Sequence, residues 1–181
     1  RSAAFLALGM STATGLPTAV VTTSGSAVAN LLPAAVEADR SCQPLLLITA
    51  DRPDRLKNCG ANQTVNQEAF LQPVCRWFGS GPGAGLKLLA SERVEELAIR
   101  AWESTFNAEG CAPGPVHLNL PFDEPLHASE EDLQQLSSSL GLDGRPVPRR
   151  PATTACDHIV PTLNANQPGV VVAGPWRGLA S

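Results

Sequence analysis

The chain has 181 residues, of which 43% are hydrophobic, and its formal net charge is −4. This length and composition suit a folded domain with its own core rather than a disordered chain. The thirteen Lys and Arg residues are scattered, which argues against a nucleic-acid partner, and no apolar run approaches the roughly 18 residues that a membrane helix needs. Five cysteines without a Cys-x-x-Cys pair indicate neither a zinc site nor a disulfide framework, so reduced thiols in a cytosol-like compartment fit best.

The pattern of apolar residues predicts alternating helices and strands. Short β-branched or aliphatic runs such as TAVVTTS predict buried strands, and longer segments predict helices. In chain order the predicted elements are a helix at 3–14, a strand at 18–24, a helix at 26–40 with a kink at Pro33, a strand at 44–50, a possible helix at 62–72, a helix at 91–108 and a strand at 114–121. Continuous apolar strands separated by helices indicate an α/β fold, with a parallel sheet covered by helices on both faces.

The composition changes after about residue 123. The chain becomes polar and then rich in Pro and Arg, which predicts a short helix followed by an extended linker. GVVVAG at 169–174 predicts one more strand, which cannot form a domain alone. We therefore expect a main domain at 1–127, a helix and linker at 128–168, and the start of a second domain at 169–181.

Two polar turns follow the first two predicted strands. Thr23-Ser24-Gly25 follows the first, and Asp51-Arg52 follows the second. Ligands of parallel α/β sheets bind outside the carboxyl ends of the strands, so both turns are candidate binding sites. The first turn opens a helix as a phosphate loop does, but it lacks the glycine spacing and the lysine of such loops. It could also be simply a capped turn.

Arg52 is a candidate for binding a carboxylate, because its planar and permanently charged guanidinium suits a two-point contact. The alternative is an ion pair with Asp51 or Asp54. Asn62 and Gln63 would add amide donors and acceptors to the same crevice, although they could merely cap a helix.

Three other side chains are weighed as site residues. Asn30 lies one turn into an apolar helix, where a buried amide must find partners. Alternation places His117 on the face opposite Val116 and Leu118, which favours a structural histidine over a catalytic base. Cys59 has no histidine near it in the sequence, so a nucleophilic role is weakly supported.

Four segments together resemble the thiamine-diphosphate-dependent enzymes: TSGSAVANLLPAAVEA, LLLITADRP, CGANQ and GPVHLNLPFDEPL. The first is shared by many of these enzymes. TADRP followed by CGANQ resembles the branch that acts in menaquinone and phylloquinone biosynthesis. The resemblance covers residues 1 to about 127 and again 169–174. It implies that 1–127 are most of the pyrimidine-binding domain of a three-domain enzyme, whose central domain begins at 169.

The resemblance implies a parent transferase that decarboxylates 2-oxoglutarate and adds the succinyl carbanion to isochorismate. It implies thiamine diphosphate and Mg²⁺ as cofactors, with diphosphate and metal held by a domain outside this sequence. It also implies small carboxylate substrates and a cytoplasmic homodimer or homotetramer. The family's activating glutamate lies just before the RSAAFLALG helix, and thus before Arg1. We therefore expect no catalytic or metal-binding residue within the sequence and no activity of the 181 residues alone.

The resemblance also assigns site residues. The small residues of the first turn would let the flat, neutral aminopyrimidine ring approach the backbone. The arginine that follows the second strand and the amides of the CGANQ segment would bind a substrate carboxylate. These residues are, for the cofactor, Thr23, Ser24, Gly25 and Asn30, and for the substrate, Arg52, Asn62 and Gln63.

Three alternatives are weighed against this interpretation. One is an acetolactate-synthase-like thiamine enzyme, against which CGANQ argues. Another is a non-catalytic α/β binding or oligomerisation module, which stays open. The last is a nicotinamide-binding domain, which is disfavoured because no Gly-x-Gly-x-x-Gly follows a predicted strand.

Overall fold

A computed structural model of the chain describes residues 1–86, 89–107 and 112–139. Its elements in chain order are α1 (Ser2–Thr14), β1 (Thr18–Thr22), α2 (Ser26–Ala29), α3 (Leu32–Ser41), β2 (Leu45–Asp51), a 3-10 helix (Asp54–Leu56), α4 (Glu68–Leu71), β3 (Trp77–Ser80), α5 (Ser91–Asn107), β4 (Pro115–Pro121) and α6 (Glu130–Ser139). No helix within these described ranges has the length and apolar character needed to cross a membrane.

The four strands form one parallel sheet in the order β1-β2-β4-β3. All three neighbouring pairs are parallel, so the carboxyl ends of the strands lie at one edge. Within the described residues, β2 and β4 are the central strands, and both are almost wholly buried. The predicted α/β fold class is confirmed.

Alternate residues of β2 face two different cores. Leu45 and Leu47 pack on the side of α1 and α3, which contribute small side chains at helical spacing: Ala4, Ala7, Ala34, Ala35 and Ala38. Leu46 and Ile48 face the other side and pack with Ala101 of α5 and with alternate residues of β4. Helices therefore cover both faces of the sheet, as the continuous apolar strands predict.

The predicted helix at 26–40 is two helices rather than one kinked helix. α2 ends at Ala29, and α3 begins at Leu32. Pro33 lies in the first turn of α3, where its missing N–H removes no intrahelical hydrogen bond, so it starts a helix instead of bending one. The strand predicted at 18–24 ends at Thr22, which leaves Thr23 and Ser24 in a turn.

Two further expectations are corrected between β2 and α5. The possible helix at 62–72 is reduced to α4, one turn long. The short strand β3 was not predicted. Its four residues, WFGS, are too few for a periodic signal and include a glycine, and the strand forms because it pairs with β4 from Trp77 to Ser80.

The prediction for the carboxyl-terminal part is met only in part by the described residues. Helix α6 lies in the segment predicted to hold a short helix. The predicted linker, the strand at 169–174 and residues 140–181 as a whole lie outside the described residues, so the domain boundaries stay predictions.

Replacing Leu47 by Ala should lower the free energy of unfolding by about 2–5 kcal/mol. The side chain is fully buried in the core shared with α1 and α3, so its loss leaves a cavity. Urea unfolding of the chain measures the change. Leu133 on α6 is 54% exposed, and Leu133→Ala is the control, expected to change stability by about 0.5 kcal/mol or less. Equal effects at the two positions would contradict the described core.

Candidate functional site

The carboxyl edge of the sheet brings the two candidate turns together. Thr22 at the end of β1 lies opposite Thr49 of β2 in the parallel register. The turn that follows β1 and the residue that follows β2, Arg52, therefore leave the sheet at the same edge. This agrees with the expectation from parallel strands. We call residues 23–25 the Thr23–Gly25 turn and the connection from β2 to α4 the 52–67 segment.

Gln63 of the 52–67 segment holds the Thr23–Gly25 turn. Its Nε2 donates hydrogen bonds to Thr23 Oγ1 at 2.9 Å and to the Ser24 carbonyl at 3.0 Å. The Ser24 hydroxyl donates in return to the Gln63 carbonyl at 3.1 Å. The turn is therefore more than a helix cap: Gly25 takes the N-cap position of α2, and no side chain caps that helix.

Gly25 is required where the turn meets Gln63. Its φ is 82°, a conformation that residues with a Cβ rarely adopt. A Cβ built there would lie 2.8 Å from Gln63 Cγ and 3.2 Å from its carbonyl oxygen. The close contact between the two segments therefore depends on the absent side chain.

A network of buried polar side chains lies under the turn. Asn119 Oδ1 accepts hydrogen bonds from Thr49 Oγ1 at 2.8 Å and from Gln67 Nε2 at 2.7 Å. Asn119 Nδ2 donates to Asp51 Oδ2 at 2.8 Å, and Gln67 Nε2 also donates to the Ala50 carbonyl at 2.8 Å. All four side chains are completely buried. Because each has partners, the network holds β2, β4 and α4 in one arrangement.

His117 extends this network at its far side through a contact with Thr49. Its Nε2 lies 2.8 Å from Thr49 Oγ1. Since the Thr49 hydroxyl proton goes to Asn119, we assign the imidazole proton to Nε2, which leaves Nδ1 without a partner among the described residues. Burial lowers the pKa of His117 to about 4, against the opposing charge of Asp51, so the ring is neutral at neutral pH. This supports the predicted structural role.

Lys57 of the 52–67 segment pairs with three carboxylates in and beside that segment. Its ammonium lies 2.7 Å from Glu68 Oε1, 3.2 Å from Asp51 Oδ2 and 3.3 Å from Asp54 Oδ1. Burial would lower the pKa of Lys57, but the hydrogen bond to Glu68 and the charge of Asp51 outweigh it, so this pKa is raised. The two aspartates considered as partners of Arg52 are therefore paired with Lys57.

The Arg52 guanidinium makes no ion pair with any described residue, and the ion-pair alternative is wrong for this part of the chain. Only its backbone N–H bonds to Asp51, donating to Oδ1 at 2.8 Å. The residue is partly exposed at the sheet edge. Its side chain is thus available for an anion.

The two amide residues predicted to bind substrate with Arg52 lie in the 52–67 segment and differ in their contacts. Asn62 is exposed, and its side chain bonds to no described residue. Neither Asn62 nor Gln63 caps a helix, because α4 begins at Glu68, so that alternative is wrong.

Asn30 is exposed rather than buried. It ends α2, and its amide donates to the Ser26 carbonyl at 2.9 Å, which keeps it beside the Thr23–Gly25 turn.

A small cavity of about 260 Å³ lies beside Lys57 and Glu68. This is below the roughly 300–1,000 Å³ of pockets that enclose a whole cofactor or drug-sized ligand. Within the described residues, no three His, Cys, Asp or Glu side chains come together as a metal site would require. The cavity is lined by Lys57, Asn58, Gly60, Thr64, Val65, Asn66 and Glu68.

The fold agrees with a family match over the amino-terminal part of the chain. Residues 1–70 match the family model described as "Thiamine pyrophosphate enzyme, N-terminal TPP binding domain". These residues hold α1 to α3, the first two strands and the whole Thr23–Gly25 turn with its partners. Over this range the chain is similar to the N-terminal domain of the thiamine pyrophosphate enzymes.

Among curated proteins, the chain is similar to enzymes named 2-succinyl-5-enolpyruvyl-6-hydroxy-3-cyclohexene-1-carboxylate synthase. It is 63% identical to that of Parasynechococcus marenigrum (strain WH8102) and 60% identical to that of Synechococcus sp. (strain CC9902). It is 57% identical to that of Prochlorococcus marinus (strain MIT 9313). Each match covers 99% of this chain and 32% of the relative, so the chain spans about one third of the length of these relatives.

The buried neutral state of His117 predicts a pH-dependent stability. The unfolded chain takes up a proton near pH 6.5 and the folded chain only near pH 4, so stability is complete above pH 6.5 and falls as the pH drops towards 4. The loss attributable to His117 should be about 3 kcal/mol. Denaturant unfolding between pH 4 and 7 measures it.

The variant His117→Gln should lose this part of the pH dependence. Because other groups also titrate in this range, the quantity to compare is the difference in slope between the variant and the unchanged protein. His127→Gln, at an exposed position, controls for the removal of a histidine. Parallel slopes for the His117 variant and the unchanged protein would rule out the buried neutral imidazole.

Proposed function

We propose that this chain is the pyrimidine-side part of a thiamine-diphosphate-dependent synthase. The complete enzyme would decarboxylate 2-oxoglutarate and join the succinyl unit to isochorismate in menaquinone or phylloquinone biosynthesis. The relatives' name supports the product, and the family match supports the cofactor. The observation that carries the proposal is the Arg52 guanidinium, which pairs with no described residue and lies beside a turn that Gln63 holds to the same segment.

The residues around the turn fit a neutral ring better than a diphosphate. The Thr23 hydroxyl and the Asn30 amide are exposed, and no Lys or Arg occurs from residue 22 to 31. The Gly25 N–H, which a phosphate loop would offer to its ligand, is already bonded to Gln67. We therefore propose that Thr23, Ser24, Gly25 and Asn30 border the aminopyrimidine. Diphosphate and Mg²⁺ would be held by residues outside this chain.

The chain's own residues would bind and orient rather than transfer protons. Bound thiamine diphosphate supplies the electron sink that decarboxylation of a 2-oxo acid requires. Arg52 would hold a substrate carboxylate through two parallel N–H donors, with Asn62 and Gln63 adding amide contacts. Gln63 can do so while its Nε2 stays on the turn, since its Oε1 has no partner among the described residues. His117 is fully buried and out of reach of a substrate.

We propose in addition that the complete protein is cytoplasmic and a homodimer or homotetramer. The support is family resemblance, in which a pyrimidine domain faces a diphosphate domain of another subunit. Light scattering of the complete protein during size exclusion tests the assembly. A monomer that retains full activity would contradict it.

Replacing Arg52 by Ala in the complete protein should lower kcat/KM for the substrate whose carboxylate it binds. A charge-assisted hydrogen bond contributes roughly 1.5–3 kcal/mol, so the loss should be about tenfold to a hundredfold or more. Arg52→Lys should restore only part of it, because an ammonium cannot reproduce the planar two-point contact. Steady-state kinetics with isochorismate and 2-oxoglutarate varied separately identify the carboxylate. An acetolactate-synthase-like enzyme would instead use a pair of shorter 2-oxo acids.

Arg55→Ala is the matched control for this experiment. Arg55 lies in the same segment, but it is exposed and pairs with Asp123. Its replacement should leave the kinetics nearly unchanged and alter stability by at most about 1 kcal/mol. If Arg52→Ala behaves like Arg55→Ala, Arg52 does not belong to the binding site.

The 181-residue chain by itself should release no CO₂ from 2-oxoglutarate in the presence of thiamine diphosphate and Mg²⁺. One reason is that the Thr23–Gly25 turn is proposed to bind only the ring half of the cofactor. The other is that the chain spans only about one third of the length of its relatives. A radiometric assay of CO₂ release from labelled 2-oxoglutarate measures this. Turnover by the purified chain at the rate of the complete protein would refute the proposed division of the site.

A further inference from the structure

We propose that Gln67 is a positioning residue that couples the Thr23–Gly25 turn to Arg52. This inference rests on the proposed function, because it concerns how the ring-binding turn and the carboxylate-binding arginine are kept in register. Gln67 was not singled out in the sequence. Its side chain belongs to none of the groups expected to touch cofactor or substrate.

The Gln67 carboxamide is completely buried and uses both of its polar atoms. Its Oε1 accepts the Gly25 N–H at 2.9 Å. Its Nε2 donates to Asn119 Oδ1 at 2.7 Å and to the Ala50 carbonyl at 2.8 Å. A single side chain thus joins the turn after β1, the end of β2 and the end of β4.

A continuous path of hydrogen bonds leads from the turn to Arg52. The Gly25 N–H donates to Gln67 Oε1 at 2.9 Å, and Gln67 Nε2 donates to Asn119 Oδ1 at 2.7 Å. Asn119 Nδ2 then donates to Asp51 Oδ2 at 2.8 Å, and Asp51 Oδ1 accepts the Arg52 N–H at 2.8 Å. The three side chains between the ends are fully buried, so water does not compete for these bonds. The relative position of the turn and of the Arg52 backbone is therefore fixed by this path.

The path requires an amide at position 67. One side of the group faces a donor, the Gly25 N–H, and the other faces two acceptors, Asn119 Oδ1 and the Ala50 carbonyl. A carboxylate could accept from Gly25, but it would oppose the two acceptors and lie close to Asp51 in a dry environment. Only a protonated carboxyl group, with one carbonyl oxygen and one O–H donor, approaches the pattern of the amide. Burial and the nearby negative charge would raise the pKa of such a group.

The test compares three variants of the complete protein with the unchanged protein. Gln67→Met keeps the size of the side chain and removes both kinds of hydrogen bond, and Gln67→Glu keeps the acceptor. Leu71→Ala is the control for lost stability, since Leu71 is fully buried in α4 and packs in the apolar core. The measurements are the thermal midpoint, the Kd for thiamine diphosphate by calorimetry, the KM of each substrate and hydrogen exchange at the Gly25 amide.

Gln67→Met should raise the Kd for thiamine diphosphate and the KM of the substrate held by Arg52. Each increase should exceed the change measured for Leu71→Ala by about tenfold or more. The Gly25 amide should exchange faster in this variant alone. Gln67→Glu should approach the unchanged protein at low pH and lose affinity as the pH rises and the introduced carboxyl group ionises. The pH dependence is taken relative to that of the unchanged protein.

Two outcomes would overturn the inference by different routes. If Gln67→Met matches Leu71→Ala in Kd, KM and Gly25 exchange, or if Gln67→Glu shows no pH-dependent recovery, Gln67 has only a structural role. If the unchanged protein neither binds thiamine diphosphate nor turns over the substrates, the proposed function fails and this inference with it. If Gln67→Met does not fold, the pH dependence of the Gln67→Glu variant still tests the inference.

Discussion

The buried carboxylate of Asp51 is the constraint on which the functional edge depends. An ionised carboxylate removed from water is costly unless hydrogen bonds and an opposite charge compensate. Asp51 receives the Asn119 amide and the Arg52 backbone N–H at 2.8 Å each, and the Lys57 ammonium at 3.2 Å. These partners come from β4, from the residue after β2 and from the 52–67 segment. Satisfying one side chain therefore fixes how the ends of two strands and their connection meet.

The same constraint explains why Arg52 stays available. Two aspartates, Asp51 and Asp54, lie close to it in the sequence, and an arginine next to carboxylates without other partners would pair with them. Lys57 takes both of these carboxylates together with Glu68 and is itself largely enclosed. Desolvation opposes the charge on Lys57, yet the neighbouring carboxylates keep it protonated at any physiological pH. Lys57 therefore has a structural role in this segment, and the Arg52 guanidinium pairs with no described carboxylate.

The sequence predicts the fold better than the site. Continuous apolar strands between helices suffice for the parallel sheet, and parallel strands suffice to place the Thr23–Gly25 turn and Arg52 at one edge. Alternation in LITAD and VHLN also places Thr49, Asp51, His117 and Asn119 on one face of the sheet. Periodicity cannot reveal Gln67, because its partner Gly25 is 42 residues away and a lone glutamine in a loop carries no signal.

The errors have local physical causes. The position of Asn30 one turn into an apolar helix predicts a buried amide, but α2 ends there, and the amide bonds back to its own helix. An alanine-rich segment gives only a weak signal for a helix break, so the sequence predicts a kink at Pro33 where the structure has the start of a second helix. β3 is too short to be predicted and exists through its pairing with β4. In each case tertiary contacts or a helix end decided the outcome, and local propensity did not.

The Thr23–Gly25 turn shows how a strand-turn-helix sequence can look like a phosphate loop and be built for another purpose. A phosphate loop must keep its backbone N–H groups free for the anion. Here the Gly25 N–H is directed inward to a buried glutamine, and the Thr23 hydroxyl is bonded to Gln63. The positive φ of Gly25 serves the close approach of Gln63, since a Cβ would lie 2.8 Å from Gln63 Cγ. The glycine is therefore explained by contact between two protein segments and needs no phosphate ligand to account for it.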